Sequence, residues 1–119
     1  MPEGSYTHFD PRALLHDLFD NKAVVVSVLG AFADWHDGAQ ADLQAAASAG
    51  DALALARVTH TVRGTLAQLH AANAVEIAQR IESRCKQAGS AYRPTEADVG
   101  PLKHELKAVL AEVKTYLAD

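Results

Sequence analysis

Apolar residues recur at three- and four-residue steps along most of the chain, which is the spacing of one face of an α-helix. A short helix is predicted to begin at Pro11 and to run through residue 19, because Asp10 and Pro11 supply an N-cap and a proline at the first helical position. A long helix is predicted over 22–49, with a weak point at Gly38. Its apolar positions are Val25, Val28, Leu29, Phe32, Trp35, Ala39, Leu43 and Ala46.

Three further helices follow. The Gly-Asp pair at 50–51 marks a boundary, since glycine suits the position after one helix and aspartate caps the next. The third helix is predicted over 52–72, and a fourth follows Asn73. Residues 87–98 are the longest loop-like segment, and the last helix is predicted to begin within 98–101. The predicted fold class is all-α, an antiparallel up-down-up-down four-helix bundle with a short N-terminal helix that caps one end.

Composition narrows the class of protein. A chain of 119 residues, 49% of them hydrophobic, suits one domain over 9–119 with a flexible arm at 1–8. The net charge of −4 argues against nucleic acid as a partner. The run at 23–33 is too short to span a bilayer and follows an acidic segment, so neither membrane insertion nor a signal peptide is predicted. The single cysteine, Cys85, fits a reducing compartment, and we expect a cytoplasmic monomer.

The third helix has an unusual outward face. On a helical wheel, His60 points away from an apolar stripe and has Arg63 and Gly64 one turn further along. The stripe consists of Leu55, Val58, Val62, Leu66 and Leu69. A neutral imidazole is nucleophilic and can carry a group covalently, and a nearby arginine suits a phosphoryl group. Taken singly, these features are also typical of a surface histidine, a packing glycine and a solvated arginine. Their coincidence favours a site.

The run GDALALARVTHTVRGTLAQLHA (50–71) resembles the signature of histidine-containing phosphotransfer (HPt) domains. In that family a Gly-Asp turn opens a helix, and the phosphorylated histidine comes nine residues after the aspartate. A basic residue and a glycine follow at the third and fourth positions after it. The residues that match are His60, Arg63, Gly64, Thr65, Gln68, Leu69 and Ala71. The order of helices is similar over nearly the whole chain.

The resemblance implies that His60 takes a phosphoryl group from an aspartyl phosphate on one receiver domain and passes it to another. Arg63, Gly64 and Gln68 would belong to the site, and Glu82 on the next helix would hold the ring nitrogen that is not phosphorylated. The expected partners are the receiver domains of a hybrid sensor histidine kinase and of a response regulator. Mg²⁺ is expected on the receiver, and this chain should need no cofactor and have no kinase activity of its own.

The same wheel predicts where a receiver docks and which positions depart from the family. Small or basic residues on the outward face should form the docking surface, namely Ala56, Arg57, Ala67 and Ala71. His70 stands where the family usually has glycine, and Leu66 where a small residue is common. We expect His70 to influence the choice of partner and Leu66 to influence packing.

Two other classes of protein are considered. A metal- or haem-binding bundle is suggested by six histidines and the acidic run at 34–38. Such bundles usually carry inward Glu-x-x-His pairs, which the chain lacks, and His8, His16, His36 and His104 are interpreted as surface residues. The alternative is a helical interaction module that has kept the bundle without phosphotransfer.

Overall fold

The computed structural model describes residues 6–88 and 91–119, and this part of the chain contains five helices and no strand. The helices are α1 (Pro11–Asp17), α2 (Lys22–Ser48), α3 (Ala52–Gln68), α4 (Ala72–Ala88) and α5 (Glu96–Ala118). The predicted all-α class is confirmed. α2 runs without interruption through Gly38, and the last helix begins at Glu96, before the predicted range of 98–101.

Helices α1, α2, α3 and α5 begin where a polar side chain accepts a backbone N–H group that has no partner within the helix. The predicted caps Asp10, Asn21 and Asp51 each accept a backbone N–H from the first turn of their helix. At α5, Thr95 and Asp98 form a capping box. These local bonds explain why the starting residues of α1, α2 and α3 are fixed by short stretches of sequence.

The C-terminal ends of α2 and α3 share one geometry. After α2, Gly50 has a φ of 65°, and the following N–H, that of Asp51, bonds to the carbonyl of Ala46. After α3, His70 has a φ of 55°, and the following N–H bonds back to Leu66 in the same way. The prediction that the third helix continues to residue 72 was therefore wrong. The left-handed turn at His70 ends it, and Asn73 lies in α4.

The four long helices surround one core. α2 packs against α3 and α5, and α4 packs against the same two helices. The predicted stripe of α3 faces this core, since Leu55, Val62 and Leu66 are fully buried, whereas Val58 is half-buried. α1 lies at the C-terminal end of α3, where the N–H of Asp10 donates to the carbonyl of Leu69.

His36 was predicted to be a surface residue, and this was wrong, because only 3% of it is exposed. It shares the buried face of α2 with Phe32, and the two rings meet edge-on with 6.3 Å between their centroids. Its Nδ1 bonds to Asp37 at 3.0 Å, and the Gln40 amide, which donates to the carbonyl of Lys103, lies 3.2 Å from its Nε2. Side-chain polarity alone could not reveal that His36 is buried, while Asp37 beside it stays exposed.

Residues 7–9 of the N-terminal segment are hydrogen-bonded to α5. Residues 1–5 of the predicted flexible arm lie outside the described residues. Residues 6–8 of that arm are described, and Glu112 of α5 accepts the backbone N–H groups of Thr7, His8 and Phe9 at 2.7–3.3 Å. These bonds hold Phe9 in the core, where it is 2% exposed.

Candidate functional site

His60 lies in the middle of α3 with 65% of its side chain exposed. Its neighbours toward the core, Thr59 and Val62, are buried, and the Thr59 hydroxyl donates to the carbonyl of Leu55 within the helix. The predicted outward direction of His60 is confirmed. The imidazole is therefore held on a rigid helix and open to an incoming molecule.

A buried carboxylate from α4 holds the ring. Glu82 lies on the face of α4 that also buries Ala78 and Cys85, so its side chain meets α3 rather than solvent. Its Oε2 is 2.9 Å from Nδ1 of His60, while only 5% of the glutamate side chain is exposed. This is the contact that the family resemblance predicted for Glu82.

Two cations share the same carboxylate. Nε of Arg63 donates to Oε1 of Glu82 at 2.9 Å, and Nζ of Lys86 lies 2.8 Å from Oε2. Burial alone would raise the pKa of Glu82, but the hydrogen bonds from Lys86 and His60 and the charge of Arg63 hold it below its ordinary value. Glu82 is therefore ionised at neutral pH, with two positive charges around one negative charge.

The charged carboxylate determines the tautomer of the neutral ring. An ionised carboxylate only accepts hydrogen bonds, so Nδ1 of His60 must carry the proton that reaches Glu82. Nη2 of Arg63 lies 3.2 Å from Nδ1. Because Nδ1 already carries a proton, Nη2 cannot donate a hydrogen bond to it. Nε2 keeps its lone pair, and no side chain in 6–88 or 91–119 hydrogen-bonds to it. The arrangement leaves one nucleophilic nitrogen facing outwards.

Gly64 creates open space beside the ring. A Cβ built on this residue would meet no atom within 4 Å, so the glycine does not serve close packing between helices. Glycine in a helix interior costs about 1 kcal/mol relative to alanine. Gly64 is exposed, so its missing side chain leaves open surface one turn from His60.

The predicted docking residues do not all lie on the surface. Arg57 and Ala67 are exposed, and Ala56 is 8% exposed at the wall of the depression beside His60. Ala71 is fully buried, and its assignment to the docking surface was wrong. The wheel extended α3 past its real end, and the left-handed turn at His70 directs Ala71 into the core.

Gln68 lies apart from the His60 cluster. It is two turns further along α3, a rise of about 12 Å. Its surroundings are apolar residues of α2, including Ala31 and Trp35, and not the ring or Glu82. The structure thus brings together His60, Arg63 and Glu82 and leaves Gln68 at a distance.

Two residues of the site were not predicted. Lys86 follows Glu82 by one helical turn, and this spacing would have indicated it once Glu82 was placed beside His60. Leu53 precedes His60 by two turns and lines the same depression, although 63% of it is exposed. Its side chain adds an apolar wall to the depression beside the charged cluster.

His70, the departure from the family pattern, has a structural explanation. It occupies the left-handed position after α3, where glycine is favoured because it has no Cβ. Its Nε2 lies 2.6 Å from Oδ2 of Asp17 in α1. The histidine thus links the end of α3 to α1.

Residues 6–88 and 91–119 contain neither a metal-binding cluster nor a membrane-spanning helix. This part of the chain has no group of three or more His, Cys, Asp or Glu side chains placed to hold a metal ion. None of its helices is long and apolar enough to cross a bilayer.

Comparison with known proteins identifies the family of the chain. The family model described as Hpt domain matches residues 27–116, which include α3, α4 and most of α2 and α5. No curated protein and no solved structure gave a match. Members of the Hpt family carry phosphoryl groups on a histidine in phosphorelays, as two-component signalling proteins without kinase activity. With the match extending over most of the sequence, the chain belongs to the Hpt domain family.

Proposed function

We propose that His60 is the phosphoacceptor of a phosphorelay intermediate, which receives a phosphoryl group from a receiver aspartyl phosphate and passes it to a second receiver. The observation that carries this proposal is the bond between Nδ1 of His60 and the buried Glu82 carboxylate, at 2.9 Å. This bond leaves Nε2 as the free nucleophile on an exposed ring.

The transfer step follows from this geometry. The Nε2 lone pair forms a bond to phosphorus while the bond between phosphorus and the aspartate oxygen breaks, and the aspartate leaves as a carboxylate. The ring then carries positive charge, which the Glu82 carboxylate stabilises at the Nδ1 proton. In the second transfer the same steps run in reverse, with a new aspartate as nucleophile.

The cations stabilise the arriving charge. Arg63 is one turn from His60, and Lys86 lines the same depression, so both can approach a phosphoryl group on Nε2. Because one carboxylate is shared by two cations, the cluster carries excess positive charge before phosphorylation. The receiver would supply Mg²⁺ and its own acidic pocket, and this chain would need no cofactor.

The partners that suit this chemistry are receiver domains of a hybrid sensor histidine kinase and of a response regulator. A cytoplasmic monomer that binds neither nucleic acid nor membrane is consistent with such a carrier. We also infer that the four long helices alternate in direction. In support, Gln44 and Ser48 near the end of α2 contact Glu96 at the start of α5, while Gln40 reaches the carbonyl of Lys103.

Incubation with a receiver domain that carries a ³²P-labelled aspartyl phosphate tests the proposal. Label should appear on the chain in an acid-labile, alkali-stable form, and His60→Gln should abolish it. His104→Gln, which removes an exposed histidine of α5, is the matched control and should be labelled normally. Equal labelling of His60→Gln and the wild type would overturn the assignment. A receiver that binds without any transfer would instead support the alternative, an interaction module without phosphotransfer.

Docking beside His60 has its own test. Ala67 is exposed and lies two turns along α3 on the face of His60. Ala67→Arg should slow transfer from a receiver and leave helical content and Tm nearly unchanged. Transfer at the wild-type rate would place the docking surface elsewhere.

A further inference from the structure

The depression that contains His60 is larger than a phosphoryl group requires. Its volume is about 540 Å³, which lies within the range of small-molecule sites. It lies between α3 and α4, and its walls include Leu53, Ala56 and Arg57 of α3 and Glu82 and Lys86 of α4. The two α4 residues already belong to the His60 cluster. The three α3 residues do not, and their chemistry indicates what else the depression can hold.

Leu53 and Ala56 form the apolar part of the α3 wall. They are three residues apart, so they are neighbours on one face of the helix. Ala56 is 8% exposed, whereas 63% of Leu53 is exposed and still faces solvent. Covering such a leucine with an apolar group removes hydrocarbon surface from water, which is favourable. This wall therefore suits the hydrocarbon part of a ligand.

Arg57 differs from the other two cations near the ring. Lys86 and Arg63 are both paired with Glu82, at 2.8 and 2.9 Å. Arg57 is exposed, and no carboxylate in the described part of the chain pairs with it. This includes Asp42 of α2, which lines an adjoining depression together with Arg57. A guanidinium without a partner can bind phosphate oxygens through parallel N–H groups, so the depression can take an anion.

The geometry of α3 arranges these groups in a row. Side chains of a helix lean toward its N-terminus, so the ring of His60 lies over the turn that contains Ala56 and Arg57. Leu53 comes one turn earlier still, about 5 Å further along the helix axis. A molecule that meets the ring with an anionic group would therefore reach Leu53 with a short hydrocarbon tail.

We propose that the depression binds small acyl phosphates and that His60 takes a phosphoryl group from them directly, without a receiver. An acyl phosphate has the same reactive group as an aspartyl phosphate. Nε2 forms a bond to phosphorus, the bond between phosphorus and the acyl oxygen breaks, and the acyl group leaves as a carboxylate. The Nδ1 proton stays on the ring beside Glu82, Arg57 binds the phosphoryl oxygens, and the acyl chain covers Leu53. The inference rests on the proposed role of His60 and adds a second class of donor.

Labelling in the absence of a receiver tests the inference. The full-length protein is incubated with ³²P-labelled acetyl phosphate or butyryl phosphate in EDTA, which removes the Mg²⁺ that a trace of receiver would need. Acid-labile label should appear with both donors and should be absent from His60→Gln. Below saturation, butyryl phosphate should react about threefold faster or more, because its longer chain covers Leu53. Phosphoramidate, which has no acyl chain, is the reference donor.

Two variants with matched controls separate the apolar wall from the cation. Leu53→Ser should abolish the preference for butyryl phosphate and leave the rate with phosphoramidate unchanged. Val26→Ser, at an exposed valine of α2 outside the depression, should keep the preference. Arg57→Gln should slow labelling by both acyl phosphates about tenfold, because the phosphoryl oxygens lose their cation. Arg80→Gln, which removes an exposed arginine from α4, should leave these rates unchanged.

The outcomes keep the donor proposal apart from the proposed function. If a receiver labels His60 but neither acyl phosphate does, the donor proposal is overturned and the proposed function stands. Equal rates with the two acyl phosphates, or equal labelling of His60→Gln, would overturn the donor proposal as well. If both acyl phosphates label His60 and no receiver does, the donor proposal holds and the relay between receivers fails.

Discussion

Two histidines of this chain are held by a glutamate through the same ring nitrogen, yet they serve different ends. Nδ1 of His60 is 2.9 Å from Glu82, and Nδ1 of His8 is 2.6 Å from Glu105. Both carboxylates are largely buried. The His60 side chain is 65% exposed, and that of His8 is 33% exposed. The pairs therefore differ less in their own geometry than in what surrounds them.

The surroundings of the two pairs are opposite in charge. Glu82 is shared with Arg63 and Lys86, so the carboxylate is neutralised without a charged imidazole. At the other pair, the hydrogen bond with Glu105 and the charges of Glu105 and Glu112 raise the pKa of His8 above its ordinary 6.5, although burial opposes them. Cations at one pair leave a nucleophile free, whereas carboxylates at the other favour an imidazolium that anchors the N-terminal segment. The chemistry of a His–Glu pair is thus determined by the charged side chains around it.

The strongest way to break this comparison is to remove Glu82. Glu82→Ala should slow transfer by about 10- to 100-fold, because the ring loses the partner that fixes its tautomer. Glu82→Gln, which keeps an acceptor oxygen for Nδ1, should lose less. Initial rates of label transfer measure the effect. Glu76→Ala, an exposed glutamate of the same helix, is the control and should transfer at the normal rate. An unchanged rate in folded Glu82→Ala would refute the role of the carboxylate.

The second prediction concerns the anchor of the N-terminal segment. Glu112→Ala removes the acceptor of three backbone N–H groups and should lower the free energy of unfolding by about 1–2 kcal/mol, since the freed groups can bind water. Urea denaturation measures this loss. Lys114→Ala, on an exposed position of α5, should change stability little. If Glu112→Ala also slows label transfer to His60, the two regions are coupled and the contrast between them fails.

The third prediction concerns Gly64, one turn from His60, where stability and transfer should change in opposite directions. Gly64→Ala should raise the free energy of unfolding by about 1 kcal/mol, because its Cβ meets open space and alanine favours the helix. Transfer from a receiver should nevertheless slow, while phosphorylation by phosphoramidate should not. Gly30→Ala in α2, whose Cβ also has open space, should stabilise the protein without slowing transfer. Faster transfer in Gly64→Ala would contradict the idea that the space admits a partner.

The smallest expected effect is the pH dependence that His8 contributes. Its pKa is higher in the folded chain than in the unfolded chain, so its stabilisation is fully present below about pH 6.5 and is lost as pH rises through the raised folded value. We expect a loss below about 1 kcal/mol, because the pair is partly solvated. His8→Gln should abolish this decline in melts between pH 6 and 9. A decline of the same size in the variant would assign it to another group.

The outward face of α3 could be predicted because its information is local. The position of His60 opposite a buried stripe depends only on helical periodicity, and the caps at Asp10, Asn21 and Asp51 depend on residues within one turn. Contacts between helices are different. The register that places Glu82 against His60 links residues 22 positions apart, and only the family resemblance indicated it.

The predictions for Ala71 and His36 were wrong for one physical reason: tertiary contacts override local preference. A left-handed turn is expected at glycine, as at Gly50, and not at a histidine. The turn at His70 is supported by Asp17 and by the bond from Asp10 to the carbonyl of Leu69, neither of which local sequence reveals. Ala71 was misplaced for this reason, and His36 was misplaced because packing against its neighbours buries a polar side chain.

The short helix α1 has a practical consequence for where this domain begins. The family match starts at residue 27, inside α2, and so excludes α1 and everything before it. A protein cut at that point would lose Phe9 and Leu14, which are 2% and 3% exposed, and would uncover the end of α3. Any fusion, truncation or domain transplant that uses this chain should therefore keep the residues from Tyr6 onwards.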